Sequence, residues 1–164
     1  MAKRSGWLTR ELLLGLRNDW KPWLVRAGLV LGACTGMMML HDPEKMFLVP
    51  RLDAGMWVTM ILVYSFLSVY PQEFLYRLFF FARYQCLFRS VPLLITANAV
   101  VFSLAHLMFW NALVMGMTLV GGFLFAFTYQ RTKSLLLVSL EHALYGSWIF
   151  TLGMGEMLAF PMPE

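Results

Sequence analysis

Charge is what this sequence has least of. Lys and Arg together number 13 and Asp and Glu 9 in 164 residues, too few to solvate the surface of a soluble domain of that size. Cysteine is nearly absent: Cys34 and Cys86 fall at different depths along the apolar runs, which excludes a disulfide framework and leaves free thiols. There is no internal repeat, no low-complexity tract and no HExxH spacing. Nor is there a basic patch interleaved with stacking aromatics, so the net charge of +4 gives no reason to expect nucleic acid as a partner.

What the chain has in place of charge is apolar length. Hydrophobic residues make up 60% of it, and a helix needs about 20 of them in a row to cross the hydrocarbon core. Five windows qualify: Trp23 to Leu40, Gly55 to Phe81, Val91 to Trp110, Ala112 to Tyr129 and Leu135 to Leu158. A membrane β-barrel would read as short alternating segments, whereas these runs are continuous and separated by tight polar breaks. The sequence therefore predicts an all-α membrane protein of about five transmembrane helices. A cytoplasmic or interfacial helix covers 1–22, with Leu8, Leu12, Leu13, Leu16 and Trp20 on one face; the first span and its loop cover 23–54; a four-helix core covers 55–158. The motif "LGAC" at Leu31 to Cys34 resembles a lipobox, but the apolar run continues through "TGMMML", which a cleaved signal does not need.

Basic residues orient the spans, because they collect on the cytoplasmic side. Lys3, Arg4, Arg10, Arg17, Lys21 and Arg26 precede or open the first span, Arg83 and Arg89 follow the second, and Arg131 and Lys133 follow the fourth. The alternate side carries Lys45 and Arg51 among Asp42, Glu44 and Asp53, then Asn111, then Glu156 and Glu164. This predicts a cytoplasmic N-terminus and an outside C-terminus.

Against this background the ionisable groups inside the spans stand out. Each costs about 2.5 to 3.5 kcal/mol to insert at the centre of a membrane helix, so each implies a function and a partner. They are Glu73, Arg77, His106, Glu141 and His142. Glu73 and Arg77 share a face at i and i+4, the acid first, and Arg77 can keep Glu73 charged. Pro71 removes a helix hydrogen bond where the pair begins, which predicts a kink. Asn98, Phe102 and His106 share a face of the third span, and Ser139, His142 and Gly146 a face of the fifth. Reckoned at 1.5 Å per residue, Glu73 lies about 15 Å from Arg83 and His142 about 13 Å from Lys133, while His106 is about 21 Å from Pro92, a turn too high unless its helix tilts. One acid and two imidazoles from three spans form the pattern of a water-activating site. The same set, Glu73, His106 and His142, also matches a zinc ligand set of two imidazoles and a carboxylate.

These motifs resemble those of the CPBP family of intramembrane endopeptidases, which includes the type II CAAX prenyl proteases and bacterial relatives tied to bacteriocin processing and self-immunity. The first motif, Glu-Glu-x-x-x-Arg, stands here as Gln72-Glu73-Phe74-Leu75-Tyr76-Arg77. The second, Phe-x-x-x-His, is intact as Phe102 to His106, and the third, His-x-x-x-Asn, stands as His142-Ala143-Leu144-Tyr145-Gly146. The resemblance implies a metal-free site in the bundle of helices two to five, and a membrane protein or peptide as substrate in the plasma membrane of a bacterium. It also implies that the first glutamate of the motif works on water with the second-motif histidine. That position is Gln72, whose amide accepts no proton, and the third-motif asparagine is Gly146. On this reading Glu73 and His106 polarise the water, His142 donates to the oxyanion and Arg77 fixes Glu73 electrostatically, all four being catalytic, while Gln72, Asn98 and Glu141 supply polar groups to substrate or oxyanion. The alternative is a catalytically silent scaffold that binds a partner peptide or helix; a proton-coupled transporter would call for inverted repeats and more spans.

Overall fold

The computed structural model describes the backbone of residues 5–158 and the side chains of residues 21–157. Among these residues there are helices and turns and no strand. The protein is an all-α, multi-pass membrane protein. In chain order the elements are α1 (Ser5–His41), the short α2 (Leu48–Leu52), α3 (Ala54–Leu87), α4 (Val91–Leu104), α5 (Ala112–Thr132) and α6 (Leu135–Thr151). Four helical stretches are long and apolar enough to cross a membrane: Lys21–His41, Ala54–Leu87, Val91–Phe109 and Ala112–Thr132. The amphipathic face expected of Leu8, Leu12, Leu13, Leu16 and Trp20 lies outside the described side chains.

The fifth expected span is shorter than the sequence suggests. α6 has 17 residues, about 25 Å at 1.5 Å per residue, less than the roughly 30 Å of a hydrocarbon core. It stops at Gly153, whose φ of +94° suits glycine, and a 3-10 turn follows over Met154–Leu158. A Cβ at Gly153 would meet the Lys45 carbonyl, so the turn after α6 packs tightly on the first loop. α1, α3 and α5 all pack against α6, burying Leu137, Val138, Glu141, Tyr145 and Phe150 and leaving Leu136, Leu140 and Leu144 exposed along one face. α4 likewise ends early, at Leu104, and a turn at His106 leads into a 3-10 turn over Leu107–Phe109.

Short connections are made possible by caps that satisfy the free N–H groups of each helix start. Asp53 accepts from the Met56 amide, Asn111 from Leu113 and Val114, and Ser134 from Leu137. α4 and α5 then run antiparallel at close range. Gly122 permits this, since a Cβ there would stand 3.0 Å from the Ala99 Cα, and Ser103 donates to the Met115 carbonyl across the same seam at 2.9 Å.

The burial pattern suits a lipid solvent. Leu40, Phe66, Leu67 and Met108 face outward, while Glu73, Arg77, Asn98, Glu141 and His142 are inside. α1 is bound to this interior by the Trp148 indole, which donates to Thr35 Oγ1 at 3.0 Å, and by a polar cluster around Arg26. Arg26 reaches the Glu141 carboxylate at 2.8 Å, its Nη2 donates to Thr128, and the Tyr145 hydroxyl donates to the same Glu141 oxygen at 2.9 Å. Breaking one partner of such a pair strands the other in a medium that cannot solvate it. Arg26→Ala is expected to destabilise the fold by about 3 kcal/mol, and Arg26→Leu with Glu141→Leu to restore most of it; thermal unfolding in detergent micelles reads both.

Candidate active site

The site begins with an irregular helix. α3 contains two π-helical stretches, Tyr64–Val69 and Phe74–Phe79, on either side of Tyr70–Glu73. The Tyr70 amide reaches back five residues to the Ser65 carbonyl, and the Phe80 amide five residues to Leu75. Such widened turns interrupt the ordinary hydrogen-bond ladder and are common at functional sites. Pro71, which cannot donate, sits in the four-residue stretch between them. The chain thus bends its register around the glutamate, and the Tyr76 carbonyl of the second π stretch accepts a hydrogen bond from Asn98 Nδ2 at 2.5 Å. Asn98 therefore braces α4 against α3.

Glu73 and Arg77 are both fully buried. Glu73 Oε2 lies 3.2 Å from Arg77 Nε, a distance for an ion pair but at an angle that makes no hydrogen bond. Glu73 Oε1 is 2.8 Å from His142 Nδ1. Because an ionised carboxylate only accepts, His142 must donate this bond from Nδ1, which leaves Nε2 as its other ring nitrogen. The Arg77 guanidinium lies over the rings of Phe102 at 4.6 Å and Phe125 at 5.6 Å, and His142 stacks on the same Phe125 at 4.5 Å. Aromatic faces accept a cation where water is absent. The phenylalanine of the second motif thus serves as a platform for the arginine of the first.

His106 stands at the open end of α4. Its Nδ1 is 2.8 Å from the Phe102 carbonyl, so this ring too donates from Nδ1, satisfying one of the carbonyls a helix end leaves free. The sequence placed His106 a turn too high within a helix; the helix instead ends below it, and the following turn carries the ring back over Phe102, centroids 4.8 Å apart.

A cavity of about 800 Å³ opens between α1, α5 and this cluster. His106, His142, Gln72, Tyr64, Tyr145 and Gly146 line one end, and Cys34, Met37, Met117 and Leu124 belong to its apolar walls. Glu73 and Arg77 are not among the lining residues. Gln72 takes the lining position of the first motif, its amide donating to Ser68 Oγ at 2.8 Å. Glu141, expected to support an oxyanion, is engaged instead with Arg26 and Tyr145 and does not line the cavity. Among the described residues no three His, Cys, Asp or Glu side chains come together as a metal site.

The family model for type II CAAX prenyl endopeptidase Rce1-like proteins matches residues 54–148, more than half of the chain. The chain belongs to this family. No curated protein and no solved structure matches it. The family match spans α3, α4 and α5 and reaches Trp148 in α6, the elements that carry Glu73, Arg77, His106 and His142.

Sequence reasoning missed one residue of this Rce1-like site. Tyr64 lines the cavity nine residues before Glu73, its ring edge-on to His142 at 6.0 Å and to Phe150 at 4.7 Å. The only sequence signal was a phenol inside an apolar run. Its contact with Gly146, 82 positions away, is tertiary.

The pairing gives Glu73 a structural role. Glu73→Gln leaves the Arg77 cation buried without its counter-charge and is expected to cost about 3 to 5 kcal/mol. Glu73→Gln with Arg77→Met is expected to regain most of that stability; a chemical-denaturation series in detergent checks the pair.

Proposed function

We propose that the chain is an intramembrane endopeptidase in which His142, backed by Glu73, takes the proton from an attacking water. The observation that carries this reading is the 2.8 Å bond from His142 Nδ1 to a fully buried carboxylate. A carboxylate held there fixes the ring's tautomer and stabilises the imidazolium that forms when Nε2 accepts a proton. Glu73 then acts through His142 and not on water directly, which removes the need for an acid at position 72.

In the proposed reaction the water oxygen bonds to a peptide carbonyl carbon as its proton passes to His142 Nε2. The carbonyl oxygen becomes an oxyanion. On collapse the C–N bond breaks and His142 returns the proton to the leaving amine, giving a carboxylic acid and an amine. His106, with Nδ1 committed to Phe102, offers Nε2 as acceptor for the second hydrogen of the water and so orients it. Arg77 stands 3.2 Å from the second Glu73 oxygen as its ion-pair partner. The proposed steps use no metal.

The apolar walls of the cavity fit a substrate presented from the bilayer: a membrane protein or a lipid-modified peptide. The distribution of Lys and Arg supports a cytoplasmic N-terminus and an outside C-terminus, and the resemblance to bacterial members of the family, with the small size, supports a bacterial plasma membrane. Gln72 is the observation that favours a second reading, a silent scaffold holding a partner helix, because its amide cannot replace a carboxylate as base.

His142→Gln separates the two readings while keeping a donor for Glu73. With purified protein in detergent and two quenched probes, a farnesylated CAAX peptide and a single-span membrane peptide, cleavage is expected to fall at least about 100-fold with the unfolding temperature little changed. Binding of the single-span peptide without turnover by the unaltered chain would favour the scaffold.

A further inference from the structure

α1 and α5 enclose a second, smaller recess at the end of the bundle where Arg26 and Arg131 lie. Its volume is about 30 Å³, and Trp23, Arg26, Thr128 and Arg131 are among the residues that line it. Both guanidinium groups stand near the Phe127 ring, Arg26 at 5.9 Å and Arg131 at 5.6 Å from its centroid. The Trp23 indole N–H is buried and has no acceptor among the described residues. Arg26 is balanced by Glu141, whereas Arg131, exposed at the opening, adds a further positive charge there. A buried donor without an acceptor, next to two cations, is completed by an anionic oxygen.

The recess and the large cavity lie along one seam. On α1, Trp23, Arg26, Val30, Ala33 and Met37 recur every three or four residues and share a face; the first two line the recess and the other three the cavity. On α5, Leu113, Met117, Val120 and Leu124 line the cavity, and Phe127 and Arg131 continue the same spacing into the recess. Each helix thus turns to the other a stripe that is basic at one end and apolar above it. From Arg26 to Met37 is about 16 Å at 1.5 Å per residue, roughly half the hydrocarbon core. The seam is also open to lipid, since Ala33, Gly116 and Val120 line the cavity and are exposed.

We propose that this seam binds one anionic phospholipid from the leaflet around Arg26, with its phosphate at the mouth of the recess and one acyl chain along the seam into the cavity. The recess has room for a single oxygen. One phosphate oxygen enters towards the Trp23 N–H, and the rest of the charge stays at the mouth with Arg26 and Arg131. Basic pockets between helices at a membrane surface recognise anionic headgroups in this way. Above the recess, Val30, Ala33, Met37, Met117, Val120 and Leu124 offer a peptide backbone no hydrogen bond, so the seam suits a hydrocarbon chain and not an unwound peptide. Half of this site is on α1, outside the residues 54–148 that the family model matches. Its occupancy needs no turnover and is independent of the endopeptidase reading; the leaflet is the cytoplasmic one in the orientation proposed above.

The test uses the purified full chain in detergent micelles, with bound lipid read by native mass spectrometry and by the rise in unfolding temperature. The ligands are dioleoyl phosphatidylglycerol, dioleoyl phosphatidylcholine, dioctanoyl phosphatidylglycerol and glycerol phosphate. One dioleoyl phosphatidylglycerol per chain is expected, bound at least about tenfold more tightly than the phosphatidylcholine. Arg131→Gln and Trp23→Phe are each expected to weaken phosphatidylglycerol binding by about fivefold or more and to leave phosphatidylcholine unchanged; the two address the same headgroup, so either one that folds suffices. Gly116→Leu places a side chain at the lipid-facing mouth of the cavity, where an added Cβ meets nothing within 4 Å. It is expected to weaken the dioleoyl lipid and spare the dioctanoyl one. Equal affinity for the two dioleoyl lipids, or phosphatidylglycerol binding indifferent to both headgroup variants, overturns the proposal. So does glycerol phosphate binding as tightly as the lipid, or dioleoyl binding unmoved by Gly116→Leu, because either result leaves an anion recess with no chain in the seam.

Discussion

A charge inside a bilayer must be neutralised by protein, and in this molecule one carboxylate organises the arrangement. Glu73 takes Arg77 on one oxygen and His142 on the other. α3 and α6 are thereby locked at a single register, because a shift of either helix by one turn, about 5.4 Å, would leave three polar groups in hydrocarbon. The aromatic rings complete what the ion pair cannot. Phe102 and Phe125 cover the guanidinium face, and Phe125 also supports His142, so α4 and α5 are drawn to the same point. Four helices meet there for electrostatic reasons, and their lipid-facing surfaces need no specificity of their own.

The second polar cluster works in the same way on the other side of α6. Glu141 and His142 are neighbours in sequence and point to different places: one to Arg26 on α1, the other to Glu73 on α3. α6 thus becomes the centre of the bundle despite being too short to span it unaided. Lys45, close to both Asp42 and Glu156 beyond the membrane, joins the turn after α6 to the first loop. Hydrogen bonds to Glu156 and Asp42 raise its affinity for the proton, but a pair so exposed contributes little to the fold.

The site departs from the family motifs in letters at two positions. Gln72 and Gly146 are the two departures from the family pattern, and both lie on the cavity wall. The carboxylate that remains is buried and bonded to an imidazole, and the space a side chain at 146 would take on α6 is filled by a phenol from α3. The π-helical stretches make this feasible. By changing the residue count per turn on either side of Pro71, they rotate Tyr64, Gln72, Glu73 and Arg77 relative to one another in a way that a uniform helix would not permit.

The sequence by itself determined the solvent, the helix count to within the short last span, and the ionisable residues that need partners. The reason is that transfer of apolar length and of charge between water and lipid involves energies large enough to be read residue by residue. The Glu73–Arg77 pair was legible because i and i+4 positions are neighbours on any helix. What only the tertiary structure decided is which way each group faces. Glu141 and His142 carry equal claims in the sequence, and only packing sends one to α1 and the other to the cavity. His106 looked misplaced because the spacing assumed a helix that continues, whereas α4 ends at Leu104 and turns the ring back. The link between Tyr64 and Gly146 has no signature at all in one dimension, since a glycine records only the absence of a side chain and not the atom that fills its place.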